Sequence, residues 1–428
     1  MPMDYQYTHQ PHLAVCLPEI VSHILSFLAP AQCQDEPKKK TYVDLYPCLL
    51  VNRLWHDSAS RIVWRRAYFE DTKEDLATFL AFASVIHDAS PVPMLSPSSS
   101  TSSSSTSAAQ LAIGQYSDMP ALLQHYPSRS SSISSVSTID TPIEYATHAD
   151  DQHHNRAKMT ADNVLAEMEV RAQKHMETAA RLSTYRNALR VLSIRKMKEK
   201  TINEPLARIG QNATKLEHLD IYICDHFSNE ALNPFLVHSN LTFLSLAGCH
   251  HISDSAILKV AEYCGGLEHL DLRACGLVSD VSLSAVAMQC PRLRHLNVGR
   301  IRDRDKVSIK SIALIAQYTQ AAVLGLAGCD IDDACMQVLA KHRTTGLERV
   351  SVNSCFKISN ETVYAYIKYC PNLSVFEMKE CHNVNDWEAV AELVQRKVLL
   401  TLCDQQNKAC ADWARLRGRT LDVKAPLK

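Results

Sequence analysis

The chain has 428 residues, 46% of them hydrophobic, and its 45 basic and 46 acidic residues give a formal net charge of −1. This length predicts more than one domain, and the absence of a basic excess argues against a nucleic-acid binder, whose affinity comes largely from phosphate contacts. The first twenty residues lack the pattern of a secretion signal and no apolar run is long enough to span a membrane, so we expect a cytoplasmic or nuclear protein without a membrane partner.

Residues 13–90 are expected to form an all-α module. The segment 17–28 reads LPEIVSHILSFL, where Pro18 and Glu19 are typical of the first turn of a helix. A second apolar segment, LYPCLLVNRLWHDSASRIVWRR, occupies residues 45–66. The apolar stripe of the first helix consists of Ile20, Ile24, Leu25 and Leu28.

Residues 91–155 differ in composition, because Ser, Thr and Pro dominate them. Such a segment cannot bury enough apolar surface to offset its ordering entropy, so we predict a disordered linker. Helical periodicity returns over 156–188, which we expect to be a helix capping the domain that follows. A coiled coil is disfavoured, because its apolar residues do not sustain a heptad.

Eight segments of alternating apolar residues recur between residues 189 and 400, with starts 25 to 28 residues apart. In LEHLDLRAC (267–275), Leu267, Leu270 and Leu272 should point inward while the residues between them face outward. A helix pattern follows each strand, and neither element can bury its apolar side alone. The sequence therefore predicts an α/β solenoid of leucine-rich repeats, with parallel strands on the concave side, helices on the convex side and a C-terminal cap over 401–428.

The cysteines follow the phase of the repeat. No Cys-x-x-Cys pair occurs, so we expect neither a metal site nor disulfides, and interpret the thiols as packing residues. Six lie eight residues after the first leucine of a unit and three lie three residues before the next one: Cys224, Cys249, Cys275, Cys329, Cys355 and Cys381, then Cys264, Cys290 and Cys370.

Over residues 189–400 the repeat resembles the cysteine-containing class of leucine-rich repeats found chiefly in F-box proteins of ubiquitin ligases. The pattern that follows the strand in this class appears here as CHHISD (249–254) and CGLVSD (275–280). Serines at its fifth position, or their neighbours, are expected to cap the convex helices. These serines are Ser253, Ser279 and Ser359.

The resemblance extends to the N-terminal module. VNRLW (51–55) resembles the V-C-R-x-W core of an F-box, and Trp64 matches the aromatic residue that closes it. The insert 29–44 and Asn52, in place of the core cysteine, depart from the pattern, and an unrelated helical cap stays an alternative. The resemblance implies that an apolar helix surface docks a Skp-type adaptor, itself joined to a cullin scaffold. The adaptor-binding residues that it implies are Leu17, Pro18, Ile20, Ile24 and Leu28.

The outward strand positions should form a concave stripe suited to a protein substrate, although an ordinary solvated face is the alternative. Metal or acid–base chemistry at His269 and His295 is not expected, because no third ligand or nucleophile is fixed nearby. The predicted substrate-binding residues are His218, Asp220, Tyr222, Phe243, His269, Asp271, Arg273, His295, Asn297, Arg349, Asn353 and Lys379.

The fifth unit is two residues longer than its neighbours and contains GRIRDRDK (299–306). Together with Arg273, the loop residues Arg300, Arg302 and Arg304 could recognise a phosphorylated substrate. A self-neutralised surface loop is the alternative, since arginine and aspartate alternate in it.

The family resemblance implies a substrate-recognition subunit of an SCF-type (cullin) ubiquitin ligase. Catalysis in such ligases belongs to the recruited conjugating enzyme, so neither catalytic residues nor a cofactor are expected. A non-ligase interaction scaffold or inhibitor is the alternative. Within the family, the short solenoid and the Ser-rich insert are similar to those of the fungal group called antagonist of mitotic exit network, which implies a cell-cycle role.

Overall fold

The computed structural model divides the chain into two compact units, Met1–Ala89 with Glu177–Lys428, and Ser90–Met176. The linker predicted over 91–155 falls almost wholly outside the described residues. No helix in the described part of the chain is long and apolar enough to cross a membrane. The structure describes residues 12–29, 42–70, 73–87 and 150–426.

Two helices, α1 (Pro18–Leu28) and α2 (Arg53–Val63), form the N-terminal module together with short 3-10 turns. Pro18 occupies the first turn of α1, where its missing N–H costs nothing. Asn52 is the N-cap of α2, because its side-chain oxygen accepts the Trp55 backbone N–H at 3.0 Å. The residue that departs from the F-box pattern thus has a structural role. A small core closes the module, formed by Val21, Leu25, Leu45, Cys48 and Ala59.

Ten strands form one parallel sheet in chain order, which confirms the predicted α/β solenoid. The strands are β1 (Arg66–Glu70), β2 (Val191–Arg195), β3 (His218–Tyr222), β4 (Phe243–Ser245), β5 (His269–Asp271), β6 (His295–Asn297), β7 (Val323–Gly325), β8 (Arg349–Ser351), β9 (Val375–Glu377) and β10 (Leu399–Thr401). The helices that follow the module are α3 (Lys73–His87), α4 (Asp150–Ala188), α5 (Asn203–Asn212), α6 (Asn229–Leu236), α7 (Asp254–Tyr263), α8 (Asp280–Gln289), α9 (Ile309–Tyr318), α10 (Asp333–Arg343), α11 (Asn360–Tyr369), α12 (Trp387–Gln395) and α13 (Asp404–Leu416).

The sheet begins earlier than the sequence predicts. β1 pairs in parallel with β2, with Arg66 opposite Val191, and α3 packs against α5. Phe79 and Ile86 of α3 are buried in the same core as the repeats. The first strand–helix unit is therefore β1–α3, separated from the second by a long insertion. The sequence assigns this unit to the helical module, because RAYFE lacks the leucine pattern of the later strands.

The C-terminal end of α4 packs on the β1–α3 unit. Tyr185 stacks on Trp64 with ring centroids 4.5 Å apart, and Trp64 in turn stacks on Phe82 at 5.6 Å. Arg186 donates from Nε to the Ile86 carbonyl at 2.6 Å, at the end of α3. Trp64, the aromatic residue of the F-box pattern, thus joins the module to the solenoid.

The repeated thiols lie inside the solenoid, as predicted. Cys275 Sγ donates to the Leu246 carbonyl at 3.1 Å, and Cys381 Sγ donates to the Val352 carbonyl at 3.1 Å, so each thiol contacts the preceding unit. Burial raises the pKa of Cys275 to about 12, which keeps the thiol protonated and unreactive.

The aspartate of the repeat pattern bridges successive convex helices. Asp254 accepts the backbone N–H of Ser279 at 2.8 Å, the Ser279 hydroxyl at 2.6 Å and the Ser282 hydroxyl at 2.5 Å. Ser279 caps α8, and Ser359 caps α11 in the same way, as predicted. Ser253 is the N-cap residue of α7 but makes no side-chain cap bond. Its hydroxyl instead bonds to the side chain of Asn229.

Candidate protein-binding surfaces

A ladder of rings runs along the first outward position of four neighbouring strands. Register places His218, Phe243, His269 and His295 side by side on β3 to β6. Their ring centroids are 3.7, 3.9 and 3.9 Å apart, and the planes are nearly parallel. Because strands lie about 4.8 Å apart, planar side chains at one register position can stack in this way. We call these four residues the ring ladder.

The histidines of the ring ladder are neutral at physiological pH. Burial lowers the pKa of His218 to about 4, and burial with the neighbouring His295 lowers that of His269 to about 3. Burial also lowers the pKa of His295. Within the described residues, no group of three or more His, Cys, Asp or Glu side chains is placed to hold a metal ion.

Carboxylates at the next outward position are buried and paired with arginines. Asp220 accepts from Arg195 at 2.7 Å and also from the Ser193 hydroxyl at 2.9 Å. Asp271 accepts from Arg273 Nε at 2.9 Å, and the second guanidinium nitrogen lies 2.7 Å from the same oxygen. The charges of this part of the face are therefore mutually neutralised.

The same pairing recurs at the far end of the face. Glu377 on β9 accepts from Arg349 on β8, and Asn353 donates to its other oxygen at 3.3 Å. A charge-assisted pair of this kind fixes both side chains in one geometry.

The lengthened loop 299–306 follows β6 and belongs to the fifth repeat of the sequence, so we call it the fifth loop. It does not gather its arginines into an anion site. Arg300 is buried and donates to the carbonyls of Val298 and Val278, at 3.2 and 3.1 Å. Arg304 lies over the ring of Phe356 at 4.5 Å. Because Arg273 is held by Asp271, three of the four arginines grouped by sequence as a phosphate site serve separate structural contacts, and the fourth, Arg302, is exposed.

Small residues leave a hollow in the concave face next to this loop. Gly299 and Ala327 occupy the third outward position of their units, joined through the hydrogen bond from Arg300 N to the Ala327 carbonyl at 2.8 Å. Ile301 and Phe356 stand at the edge, 91% and 55% exposed. The whole concavity, from Arg195 to Glu380, encloses about 1080 Å³. We call its part around Gly299 and Ala327 the central hollow.

Ten of the twelve residues predicted for substrate binding line this concavity. The other two are His218, which begins the ring ladder, and Lys379, which is exposed outside the concavity. The sequence missed Ile301 and Phe356, and its one signal for them is the extra length of the fifth unit, which moves the loop toward Phe356.

The N-terminal module exposes a second surface. The predicted residues Leu17, Pro18, Ile20, Ile24 and Leu28 are all exposed, whereas Val21 and Leu25 fill the module's core. The structure adds Phe27, which is 75% exposed, and Leu50, which is 87% exposed. The sequence places Leu25 in one apolar stripe with Ile20, Ile24 and Leu28, and only the structure separates the buried face of α1 from the exposed one.

The N-terminal module matches a known domain family. The F-box-like family model matches residues 18–70. The chain is similar to three proteins called Antagonist of mitotic exit network protein 1. The Candida glabrata protein is 32% identical over 43% of this chain and 36% of its own length. The Yarrowia lipolytica protein is 39% identical over 41% of this chain and 24% of its own length. The Saccharomyces cerevisiae protein is 32% identical over 40% of this chain and 31% of its own length. The chain thus spans about a third of the length of these curated relatives.

Among solved structures, Rad7 in a yeast complex with Elc1 is 14% identical over 54% of this chain and 72% of that one, with a TM-score of 0.34. Internalin C2 from Listeria monocytogenes is 18% identical over 52% and 84%, with a TM-score of 0.36. The fold is therefore assigned from the repeats and the parallel sheet of the chain and not from these two structures. The chain combines an F-box-like domain with a leucine-rich-repeat solenoid, and part of it is similar to Antagonist of mitotic exit network protein 1.

Proposed function

We propose that the chain is the substrate-recognition subunit of an SCF-type (cullin) ubiquitin ligase. The F-box-like domain would bind a Skp-type adaptor joined to a cullin, and the concave face would bind a protein substrate. The name of the curated relatives supports a role in the cell cycle. Such a subunit performs no catalysis of its own and works in the cytoplasm or nucleus.

The observation that carries this proposal is the exposed apolar face of α1. Val21 and Leu25 fill the module's core, whereas Ile20, Ile24 and Leu28 remain 37, 38 and 39% exposed. Their spacing of four residues places them on one side of the helix, beside Phe27. A helix that presents apolar side chains at this spacing suits a hydrophobic groove on a partner.

The turn before α2 exposes further apolar side chains on the same module. Leu50 and Val51 are exposed, as is Tyr46. Exposed apolar residues gathered on one small domain are typical of a protein-binding site rather than of a free surface. Burial of each large side chain stabilises a complex by about 1.5–3 kcal/mol before the costs of association.

A binding assay with purified Skp-type adaptor tests the proposal. We expect wild type to bind, and the variants Leu17→Ala/Pro18→Ala and Phe27→Ala/Leu50→Ala each to weaken binding at least about tenfold, because they remove exposed apolar area and no core residue. The matched control is Val281→Ala, since Val281 is 64% exposed but lies on α8.

Absence of adaptor binding by the folded wild type would contradict the ligase assignment and favour an interaction scaffold or inhibitor that uses the solenoid alone. Full binding by both double variants would show that the adaptor does not use this face. Circular dichroism of each variant separates lost contacts from lost folding.

A further inference from the structure

The arginines that line the concave face are already engaged within the chain. Arg195, Arg273 and Arg349 are each paired with a carboxylate whose own side chain is largely buried. Arg304 donates to the Ser354 carbonyl and stacks on a ring. An incoming phosphate would have to displace one of these partners and leave a buried carboxylate unpaired, which is costly. These four arginines of the concavity are therefore not free cations of the kind on which phosphate recognition depends, and the exposed Arg302 and Lys379 lie outside its lining.

Arg300 is the remaining arginine that lines the concavity, and its side chain is buried away from solvent. Its Nη2 atom has no hydrogen-bond partner in the described part of the chain, but it has almost no contact with solvent. The guanidinium is held from the other side by the carbonyls of Val298 and Val278. A phosphate on a partner protein would reach this nitrogen only if the fifth loop moved.

The ring ladder is likewise an uncharged element. His218, His269 and His295 are neutral; His269 stacks between Phe243 and His295, and His218 stacks on Phe243. No hydrogen bond within the described residues engages the nitrogens of these imidazoles, so each neutral ring has one donor and one acceptor for a partner. The ring ladder suits polar but uncharged groups, such as backbone amides.

The central hollow offers space where its neighbours do not. Along the third outward position, Arg273 and Asn353 stand on either side of Gly299 and Ala327, which carry no side chain or a single methyl group. The adjacent floor is closed, because the Asn297 amide lies over Gly325, where an added Cβ would come within 2.3 Å of Asn297 Oδ1. The hollow is thus a defined depression rather than an open sheet.

An apolar rim borders this depression. Ile301, at the tip of the fifth loop, is 91% exposed, and Phe356 lies across the strand ends from it. Exposed apolar side chains around a depression are typical of energetic hot spots, where a partner's large side chain is buried and water is excluded.

We infer that the central hollow takes one large apolar side chain from an uncharged, unphosphorylated segment of a partner protein, whose backbone lies along the ring ladder. The inference rests on the proposed function only in identifying this partner with the substrate. Charge complementarity carries it, because the lining of the concavity combines neutral rings, neutralised ion pairs and an apolar rim.

Short random peptides displayed on phage provide the probe, panned against the full chain with and without Skp-type adaptor. We expect enriched peptides to share one large apolar residue and to be poor in acidic residues. Their affinity should change little with ionic strength, because no free ion pair forms. Synthetic versions with a phosphorylated serine should bind no more tightly than the plain peptides.

Two variants localise the binding. Ile301→Ser removes the rim and Ala327→Leu fills the hollow with a neutral group on an outward position, and each should weaken peptide binding at least about tenfold. The matched control, Val281→Ser on convex helix α8, should leave binding unchanged.

Enrichment of acidic peptides, tighter binding of the phosphorylated versions or unchanged affinity in both variants would overturn the inference, as would failure to enrich any peptide. Loss of adaptor binding with peptide binding retained would contradict the ligase assignment but not the central hollow.

Discussion

Single carboxylates join neighbouring repeats at the start of the convex helices. Asp280 accepts the Ser308 backbone N–H at 2.9 Å and the hydroxyls of Ser308 and Ser311. The donors lie at the start of the next helix, whose N-cap is Ser308, so the Asp280 side chain ties the first turn of α9 to α8. The Ser-Asp pair of the repeat pattern therefore encodes contact between units, which the sequence indicates only as capping.

Asp280→Ala should lower the free energy of unfolding by about 1–3 kcal/mol, because three donors lose their acceptor at once. Urea unfolding followed by circular dichroism measures the change. Glu262→Ala is the matched control, since Glu262 is exposed on α7. An equal effect of both substitutions would show that the bridge contributes nothing specific.

A glycine at a strand exit is required where two units approach closely. Gly328 has φ of +71°, and an added Cβ would lie 1.9 Å from the Arg300 carbonyl oxygen. Other units place non-glycine residues such as Ala274 and Ser354 at positive φ, so the close approach is the stronger constraint here. It arises because the chain after Arg300 continues into the longer loop.

Gly328→Ala should destabilise the chain by at least about 1 kcal/mol, since both the backbone and its neighbour must shift. Gly418→Ala provides the control, because Gly418 also has positive φ but meets no atom within 4 Å. Differential scanning calorimetry compares the two. A larger loss of Tm for Gly418→Ala would contradict the steric account.

At the scale of elements, the ring ladder shows how register creates a surface that no single strand contains. The alternation of inward and outward residues predicts which side chains face the concave side. It does not predict that His218, Phe243, His269 and His295 stack, since stacking depends on strand spacing and on the rotamer of each ring. Burial is the main cause of the lowered pKa values of the three histidines.

The lowered pKa values make stability depend on pH. An unfolded histidine titrates near 6.5, and His269 titrates at about 3 in the folded chain, so acid favours the unfolded state. The contribution is complete above pH 6.5 and is lost as the pH falls from there toward 3. Since the ring is partly exposed, the loss between pH 7 and 5 is at most about 2 kcal/mol.

His269→Phe should therefore reduce the loss of stability on acidification, while keeping a ring in the stack. Urea unfolding midpoints at pH 7 and pH 5 give the measurement, and His251→Phe, at an exposed position, is the control. An unchanged difference between the two pH values in His269→Phe would contradict the account.

At the scale of the whole molecule, the F-box-like match over residues 18–70 and the solenoid share β1, the strand of the β1–α3 unit. The repeats from residue 189 to 400 were predictable because eight units reinforce one period. β1 and α3 were not, since RAYFE is a single short strand and its partner β2 lies more than a hundred residues later. Helical spacing predicts an apolar stripe on α1, whereas tertiary packing decides that Leu25 is buried and Ile24 is exposed.

Phe79→Ala tests this shared unit, because Phe79 is fully buried in the repeat core. Removing such a ring costs about 3–5 kcal/mol. Hydrogen exchange should become faster in β2 and β3, while Leu25→Ala, in the separate core of the module, should leave those strands protected. Faster hydrogen exchange in β2 caused by Leu25→Ala, but not by Phe79→Ala, would contradict the separation of the two cores.

Reconstitution with a purified Skp-type adaptor and a cullin tests the central claim most directly. Size-exclusion chromatography with light scattering should show the chain in one complex with cullin when the adaptor is present. Without the adaptor, or with the variant Phe27→Ala/Leu50→Ala, the chain should elute apart from cullin. Elution of the wild-type chain apart from the adaptor–cullin pair would contradict a ubiquitin-ligase role.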